Sequence, residues 1–324
     1  MLVNFLILIV FIALAILFIF LVRAAWRSRR WFLRWPGVII SGLLALVFTL
    51  VSVVAIIGLV RLNVAPYPYT RAFTPMASTP ALVDEGSKKA VICVGCHSST
   101  KNLPLDGSAM DFAAGGPPIG VIWAPNLTPG GPLKDWSDAE IARAMREGVD
   151  KNGRPLLIMP SKTLHNLSDE DESALIAYLR SQPAVARSLP EKQTSLLAAV
   201  FIGGGLFSTS AQPPITGPIA IPAAGTPEKG NYLVHAFGCI DCHADNLAGA
   251  PPGSFGPSGP NLTAIVPGWQ EKDLITLFRT GKAPSGQKIS DQMPWNDYNR
   301  AFSDAELKDI FSYLHGLEKL PNNK

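Results

Sequence analysis

The sequence predicts an all-α protein, with two membrane-spanning helices at the N-terminus followed by two tandem copies of one small helical domain. Three observations carry that expectation. Two uncharged apolar runs fill most of the first sixty residues. Beyond them, a set of landmarks occurs twice in the same order, over residues 81–185 and 228–324. Within each copy the apolar residues follow helical spacing, and no alternating pattern of any length marks a strand.

The anchor comes first. Residues 2–22 and 37–60 carry no charge, and each reaches the ~20 residues that a helix needs to cross a bilayer. A cleaved leader would want basic residues before its apolar core and small residues at its end. Here nothing basic precedes the first run, and Arg23 and Arg27 follow it. Arg23, Arg27, Arg29, Arg30 and Arg34 lie between the two runs, together with Trp26, Trp31 and Trp35. Lysine- and arginine-rich loops stay in the cytoplasm, and tryptophan favours the membrane interface. Residues 1–61 are therefore expected to be a two-helix anchor in a bacterial inner membrane. Both termini, and everything after residue 61, then lie on the periplasmic or other extracytoplasmic side.

The charge balance follows from this division. The chain has 324 residues and a formal net charge of +3, but residues 1–61 hold six arginines and no acid. The remainder has 22 basic against 25 acidic residues and no basic stripe, so nucleic acid is not an expected partner.

Residues 62–80 are rich in Pro and Thr and read as an extended tether. The repeat then begins. Cys93-Val-Gly-Cys96-His97 corresponds to Cys239-Ile-Asp-Cys242-His243, and Pro125-Asn126-Leu127-Thr128 to Pro260-Asn261-Leu262-Thr263. Trp136 and Trp269 each open a helical stretch that stops at glycine, Gly148 or Gly281, with Gly153 or Gly286 five residues on. Met159-Pro160 then matches Met293-Pro294. Each copy closes with a helix starting at Ser168 or Ser303 and carrying Tyr178 or Tyr313 ten residues later. Ser137 with Glu140, and Ser303 with Glu306, have capping-box spacing. Thr226-Pro227-Glu228 reads as a helix start. Leu307, Ile310, Phe311 and Leu314 form one apolar face, and Leu175, Ile176 and Leu179 do so in the first copy. The linker, 186–227, contains the apolar run Leu196–Phe207, too short to span a bilayer and expected to pack between the two domains, with contact to a membrane surface or another subunit as the alternative.

All four cysteines fall in the two CxxCH motifs. In such a motif two thiols are spaced to bond the vinyl groups of one haem, and the adjoining histidine lies under the iron. Zinc would want the four cysteines gathered at one site, and a redox dithiol would want a strand-rich domain. Two covalently bound haem c groups are the expected cofactors, held by Cys93, Cys96 and His97 and by Cys239, Cys242 and His243. Met159 and Met293 are the expected sixth ligands, because they stand at equivalent positions while Met76, Met110 and Met145 have no counterpart. A thioether favours ferrous iron and raises the reduction potential. Of the other histidines, His165 lies six residues after Met159, His235 on the helix before the second motif and His315 near the end of the last helix. None of the three is expected to ligate. Pro125 and Pro260 are expected to bring a backbone carbonyl to the free ring N–H of His97 and His243, fixing the imidazole. Trp136 and Trp269 read as core aromatics.

At these residues the chain resembles the class I cytochrome c family, in particular the membrane-bound multihaem cytochrome c subunits of bacterial gluconate and alcohol dehydrogenases. The likeness rests on Pro125-Asn-Leu-Thr, Trp136-Ser-Asp-Ala-Glu, Arg146-Glu-Gly, Met159-Pro160, Leu167-Ser-Asp-Glu-Asp and Tyr178-Leu-Arg, and it covers both copies but not the anchor. It implies two tandem class I cytochrome c domains and a non-catalytic role in electron transfer. Those subunits typically carry three modules, and this chain has two motifs.

The expected function is electron transfer by a membrane-anchored dihaem carrier, as a subunit of a respiratory or photosynthetic complex. An electron-accepting subunit of a periplasmic dehydrogenase is the near alternative. The partners that fit are a dehydrogenase, an oxidase or a reaction centre, with a soluble cytochrome or copper protein as an outer partner. A dihaem peroxidase is the rival from another class. It would need one iron with a displaceable ligand and an acid–base residue above it, and the two copies carry the same Met-Pro. A gas sensor that releases one methionine is the third reading.

Overall fold

A computed structural model describes residues 2–64, 73–251 and 258–324. Helices α1 (Leu2–Trp26) and α2 (Trp31–Asn63) form an antiparallel hairpin. Both outrun their uncharged cores toward the arginine loop, because Ala24, Ala25 and the flanking arginines continue a helix readily. Pro36 lies in the second turn of α2, where one backbone bond is lost and the helix goes on. Phe48 stacks on Phe18 and meets Phe11 edge-on, and Gly37 stands against Ala25. The outer flanks stay bare: Ile9, Phe20, Ile40, Leu43 and Leu50 are each more than half exposed. At the arginine end, the Arg34 guanidinium lies 4.2 Å over Trp26.

The first copy contains α3 (Pro80–Ala90), α4 (Val94–His97), α5 (Asp138–Glu147), α6 (Ser161–Leu164) and α7 (Asp169–Ser181). After α8 (Leu196–Gly203), the second contains α9 (Pro227–Ala236), α10 (Cys239–His243), α11 (Leu262–Ile265), α12 (Glu271–Thr280), α13 (Trp295–Ala301) and α14 (Asp304–His315). Equivalent helices start and stop by the same chemistry. Thr79 and Thr226 cap α3 and α9, each with proline at the first helical position. Ser168 and Ser303 cap α7 and α14, accepting from Asp171 N and Glu306 N, and Gly148 and Gly281 end α5 and α12 in the left-handed conformation. Arg146 ties α5 to Asp169 at 2.9 Å, and Arg279 ties α12 to Asp304 at 2.6 Å.

The first and last helices of each copy cross at a glycine. A Cβ on Gly86 would stand 1.9 Å from the Ala174 carbonyl oxygen and 3.0 Å from Tyr178 Cβ. One on Gly230 would stand 1.9 Å from the Asp309 carbonyl oxygen and 2.8 Å from Tyr313 Cβ. Only glycine permits that approach without moving backbone.

The two copies share one apolar core, in which Val91, Leu105, Leu175 and Leu179 join Leu233, Phe237, Leu307 and Ile310. Their contact is reciprocal. Helix α6, which follows Met159-Pro160, packs on α9; α13, which follows Met293-Pro294, packs on α3 and the turn Val91–Cys93. Thr163 bonds Asp241 inside the second CxxCH, and Lys162 pairs with Asp245 at 2.6 Å. The Tyr232 hydroxyl accepts from Ser168 N at 3.1 Å. Buried Lys89 reaches Glu306 of the other copy and sits 5.3 Å and 5.1 Å from the ring centres of Phe237 and Phe302.

Three expectations are refined. The tether lies partly outside the described residues; its last stretch is docked rather than free, with Phe73 on the core and Met76 N bonded to Ser173 Oγ at 3.1 Å. A minimal antiparallel pair, β1 (Gly120–Val121) with β2 (Gln193–Thr194), joins the first copy's long loop to the linker. The apolar run 196–207 does not pack between the domains. Its helix α8 lies on α2, in a second apolar cluster of Leu8, Ala55, Leu62, Ile122, Leu196, Ala199 and Ile202. The glycines of α2 and α8 decide this, because they let the backbones touch.

Candidate functional site

Each CxxCH motif forms a short helix that ends on its histidine, α4 and α10. His97 and His243 are buried at 7% exposure each. His97 Nδ1 lies 3.0 Å from the Pro125 carbonyl oxygen, and His243 Nδ1 lies 2.7 Å from that of Pro260. With Nδ1 donating to the carbonyl, Nε2 is the nitrogen left for a metal. Burial lowers the pKa of both imidazoles, against an opposing pull from the proline carbonyls, so the neutral ligand form is favoured.

The proline carbonyls are themselves held. Asn126 Nδ2 donates to the Val185 carbonyl at 2.8 Å, and Asn261 Nδ2 to that of Leu320 at 2.9 Å. Thr128 and Thr263 each donate to the neighbouring asparagine Oδ1 at 2.7 Å, and accept from Val185 N at 3.1 Å and Leu320 N at 3.0 Å. The Pro-Asn-Leu-Thr segment thus clamps the chain beyond the last helix to the loop that orients the histidine. On its other side, the carbonyl of His97 accepts from Gly107 N at 2.8 Å, and that of His243 from Gly249 N at 3.0 Å.

Cys93 and Cys239 sit half-buried on the shared core, Cys242 is half-buried and Cys96 is exposed. Burial pushes the Cys93 and Cys239 thiols up to about 12. A dithiol oxidoreductase needs the reverse, a thiolate stabilised near neutral pH.

Met159 and Met293 also lie half-buried against that core. Their loops share a bridge and a turn. A bridge pairs Val149 with Pro155 and Lys282 with Lys288, and the cap glycine carbonyls accept from Leu156 N at 2.7 Å and Ile289 N at 2.9 Å. Pro160 (φ −77°, ψ 53°) and Pro294 (φ −78°, ψ 51°) then make an inverse γ-turn. It is closed by bonds of 2.8 Å from Ser161 N and Trp295 N to the methionine carbonyls. The loops match from cap glycine to Leu156 and Ile289, after which Met159 follows by three residues and Met293 by four, so the second copy takes one more residue to reach the same turn.

The remaining histidines have local partners. His165 Nδ1 lies 2.8 Å from the Arg146 carbonyl, His235 Nδ1 lies 2.9 Å from that of Asn231, and the His315 ring leans on Phe311 at 5.0 Å. Trp136 and Trp269 are half-buried against the core.

The residues suit a covalently held haem in each copy. Cysteines stand one turn apart ahead of a buried histidine whose outer nitrogen is already bonded, and a methionine loop of fixed form borders the same core. Sequence reading passed over Gly86 and Gly230, Gly107 and Gly249, the Arg–Asp ties and the role of Asn126 and Asn261. The Leu-x-Gly that follows each histidine, Leu105–Gly107 and Leu247–Gly249, was a usable signal, hidden because it comes ten residues after one histidine and six after the other.

Residues 227–318 match the family described as cytochrome c. The chain is 29% identical over 272 residues to one of the nicotinate dehydrogenase subunits of Pseudomonas putida, covering 74% of this chain and 22% of that one. It is 26% identical over 275 residues to the fructose dehydrogenase cytochrome subunit of Gluconobacter japonicus, covering 75% and 54%. A diheme cytochrome c-type protein of Cereibacter sphaeroides is 33% identical over 97 residues, 29% of this chain and 32% of that one. The match thus spans between about a fifth and about half of the length of these relatives.

Proposed function

We propose that this chain, an electron carrier with a cytochrome c domain at residues 227–318, is a membrane-anchored dihaem subunit of a dehydrogenase-type complex. The carrying observation is the doubled geometry around His97 and His243: the same carbonyl bond, the same asparagine clamp and the same methionine turn. The names of the nicotinate and fructose dehydrogenase relatives favour a dehydrogenase as the partner over an oxidase or a reaction centre.

In this reading the first domain spans residues 81–185 and the second 228–324. Cys93 and Cys96, and Cys239 and Cys242, would hold the haems through thioethers. His97 and His243 would supply Nε2 to the iron, and Met159 and Met293 would supply a thioether sulfur. When bound, the haem supplies a one-electron ferric–ferrous couple at an iron with no vacant position for substrate. The protein's own part is orientation. Pro125 and Pro260 fix each imidazole plane and raise its basicity, and the clamps behind them limit reorganisation. Helices α1 and α2 span the bacterial cytoplasmic membrane, with the haem domains on the periplasmic side.

The test is purification of the native protein in mild detergent. A pyridine haemochrome assay should return two haem c per chain, and a catalytic dehydrogenase subunit should co-purify. One haem per chain would overturn the dihaem reading. Isolation with an oxidase or reaction centre would overturn the dehydrogenase partner.

A further inference from the structure

Two stretches of the globular part that meet in the structure are almost without charge. No Asp, Glu, Lys or Arg occurs from Gln193 to Pro227, and only Asp111 occurs from Gly107 to Leu133. Asp111 is turned inward, accepting from Ala113 N at 2.9 Å and Ile122 N at 2.8 Å. The two stretches meet through the β1–β2 pair and through Ser195, whose N and Oγ donate to the Ile119 and Pro118 carbonyls at 2.9 Å and 2.7 Å.

Both rest on the anchor. A Cβ on Gly58 would stand 1.7 Å from the Ala199 carbonyl oxygen, and one on Gly203 would stand 2.0 Å from that of Val54. Arg61 donates to the Ile202 carbonyl at 2.9 Å, and Asn4 Nδ2 to that of Thr194 at 2.6 Å. Val54 lies six residues inside the end of the uncharged run at Val60, about 9 Å along a helix at ~1.5 Å per residue. That depth matches the roughly 5–10 Å at which interfacial helices settle below the headgroups. Within these stretches Leu206 is 79% exposed and Met110 59%.

We infer that α8, the residues following it to Phe207, and the loop 108–124 form a collar seated in the outer lipid leaflet around α1 and α2. The occupant is the bilayer that holds those helices, because the collar is continuous with them, lies at their depth and carries no outward charge. This rests on the reading of α1 and α2 as membrane-spanning. The collar also has a bearing on the first haem site. Gly107 and Pro125, which bond the carbonyl and the ring of His97, bracket 17 residues, whereas Gly249 and Pro260 bracket 10. The longer loop is the one in the collar, so the first motif is the one whose histidine loop contacts lipid.

The four native cysteines all lie in the haem motifs, so an added cysteine can be spin-labelled alone. Full-length Leu206→Cys and Met110→Cys holoproteins, each checked for haem content, would be reconstituted in phospholipid vesicles. Collision rates with oxygen and with a neutral nickel chelate would be compared with Leu46→Cys in α2 and Lys308→Cys on α14. Labels at 206 and 110 are expected to resemble 46, with oxygen collisions favoured severalfold over nickel. If 46 lies in lipid but 206 and 110 both resemble 308, the collar is overturned while the anchor stands. If 46 itself meets nickel as freely as 308, the anchor reading fails and the collar falls with it.

Discussion

The chemistry is concentrated in a few side chains, and two predictions belong to them. On the proposed ligation, replacing Met293 with histidine exchanges a soft thioether for a better donor to ferric iron. One of the two couples should then fall by on the order of 0.1 V, within the ~0.8 V that axial ligands command, while the other holds. Spectrally resolved redox titration reads this, and an unchanged pair of potentials would remove Met293 from the iron. Asn261 Nδ2 bonds Leu320 while its Oδ1 accepts from Thr263, both in or near the protein interior. Asn261→Leu strands those partners and should cost about 1–3 kcal/mol in thermal unfolding. It should also broaden the second haem's spectra, as the Pro260 carbonyl is freed to move. A purely structural asparagine would lower stability without that spectral change.

Helices meet under tighter constraints than their sequences suggest. At the α9–α14 crossing, Gly230→Val should drive the helices apart and destabilise the second copy by about 3 kcal/mol or more, since backbone has to yield. Chemical denaturation with tyrosine or haem absorbance measures it, and a shift under ~1 kcal/mol would mean the crossing can slide. Between copies, Lys89→Met breaks the pair with Glu306 and should cost about 2–3 kcal/mol, below the ~3–5 of a sealed pair because Glu306 keeps 19% exposure. The pH response follows from the carboxylate. Burial alone would raise the pKa of Glu306, but the charge and hydrogen bond of Lys89 and the bonds from Ser303 outweigh it and hold it below the ordinary 4.5. A depressed carboxylate stabilises above its unfolded value and loses that contribution as acid protonates the folded form. The contact between copies should therefore weaken as pH drops below about 4.5, and this dependence should shrink in Lys89→Met. Unfolding midpoints measured between pH 3 and 7 decide the matter.

At the scale of the molecule, the reciprocal contact joins the two haem motifs through the helices that follow each methionine. Thr163 bonds Asp241 within the second CxxCH, and Arg300 reaches Asn102, five residues past His97, at 3.3 Å. On the proposed dihaem reading, Thr163→Val with Arg300→Ala should loosen this contact and slow electron exchange between the haems about tenfold or more, with the two potentials nearly unchanged. Flash-induced reduction of one haem, followed at the wavelength of the other, would show it. Equal rates in variant and parent would mean that the shared apolar core alone sets the spacing.

Much of this was legible from residues in order, because the relevant physics is local. Capping boxes, cap glycines, a helix-initiating proline and a CxxCH act within one or two turns, so their spacing declares them; Ser137–Glu140 and Gly281 are cases in point. The duplication was readable for the same reason, since each copy repeats its local signals. What only the tertiary structure decided are meetings between distant segments. The crossing at Gly86 depends on Ala174 and Tyr178, and the clamp of Asn126 on Val185, and neither partner marks itself by spacing. The run 196–207 could bury its apolar side chains against several surfaces equally well by composition. Steric closeness at Gly58 and Gly203 chose α2, because burial is non-directional and only shape separates one apolar neighbour from another.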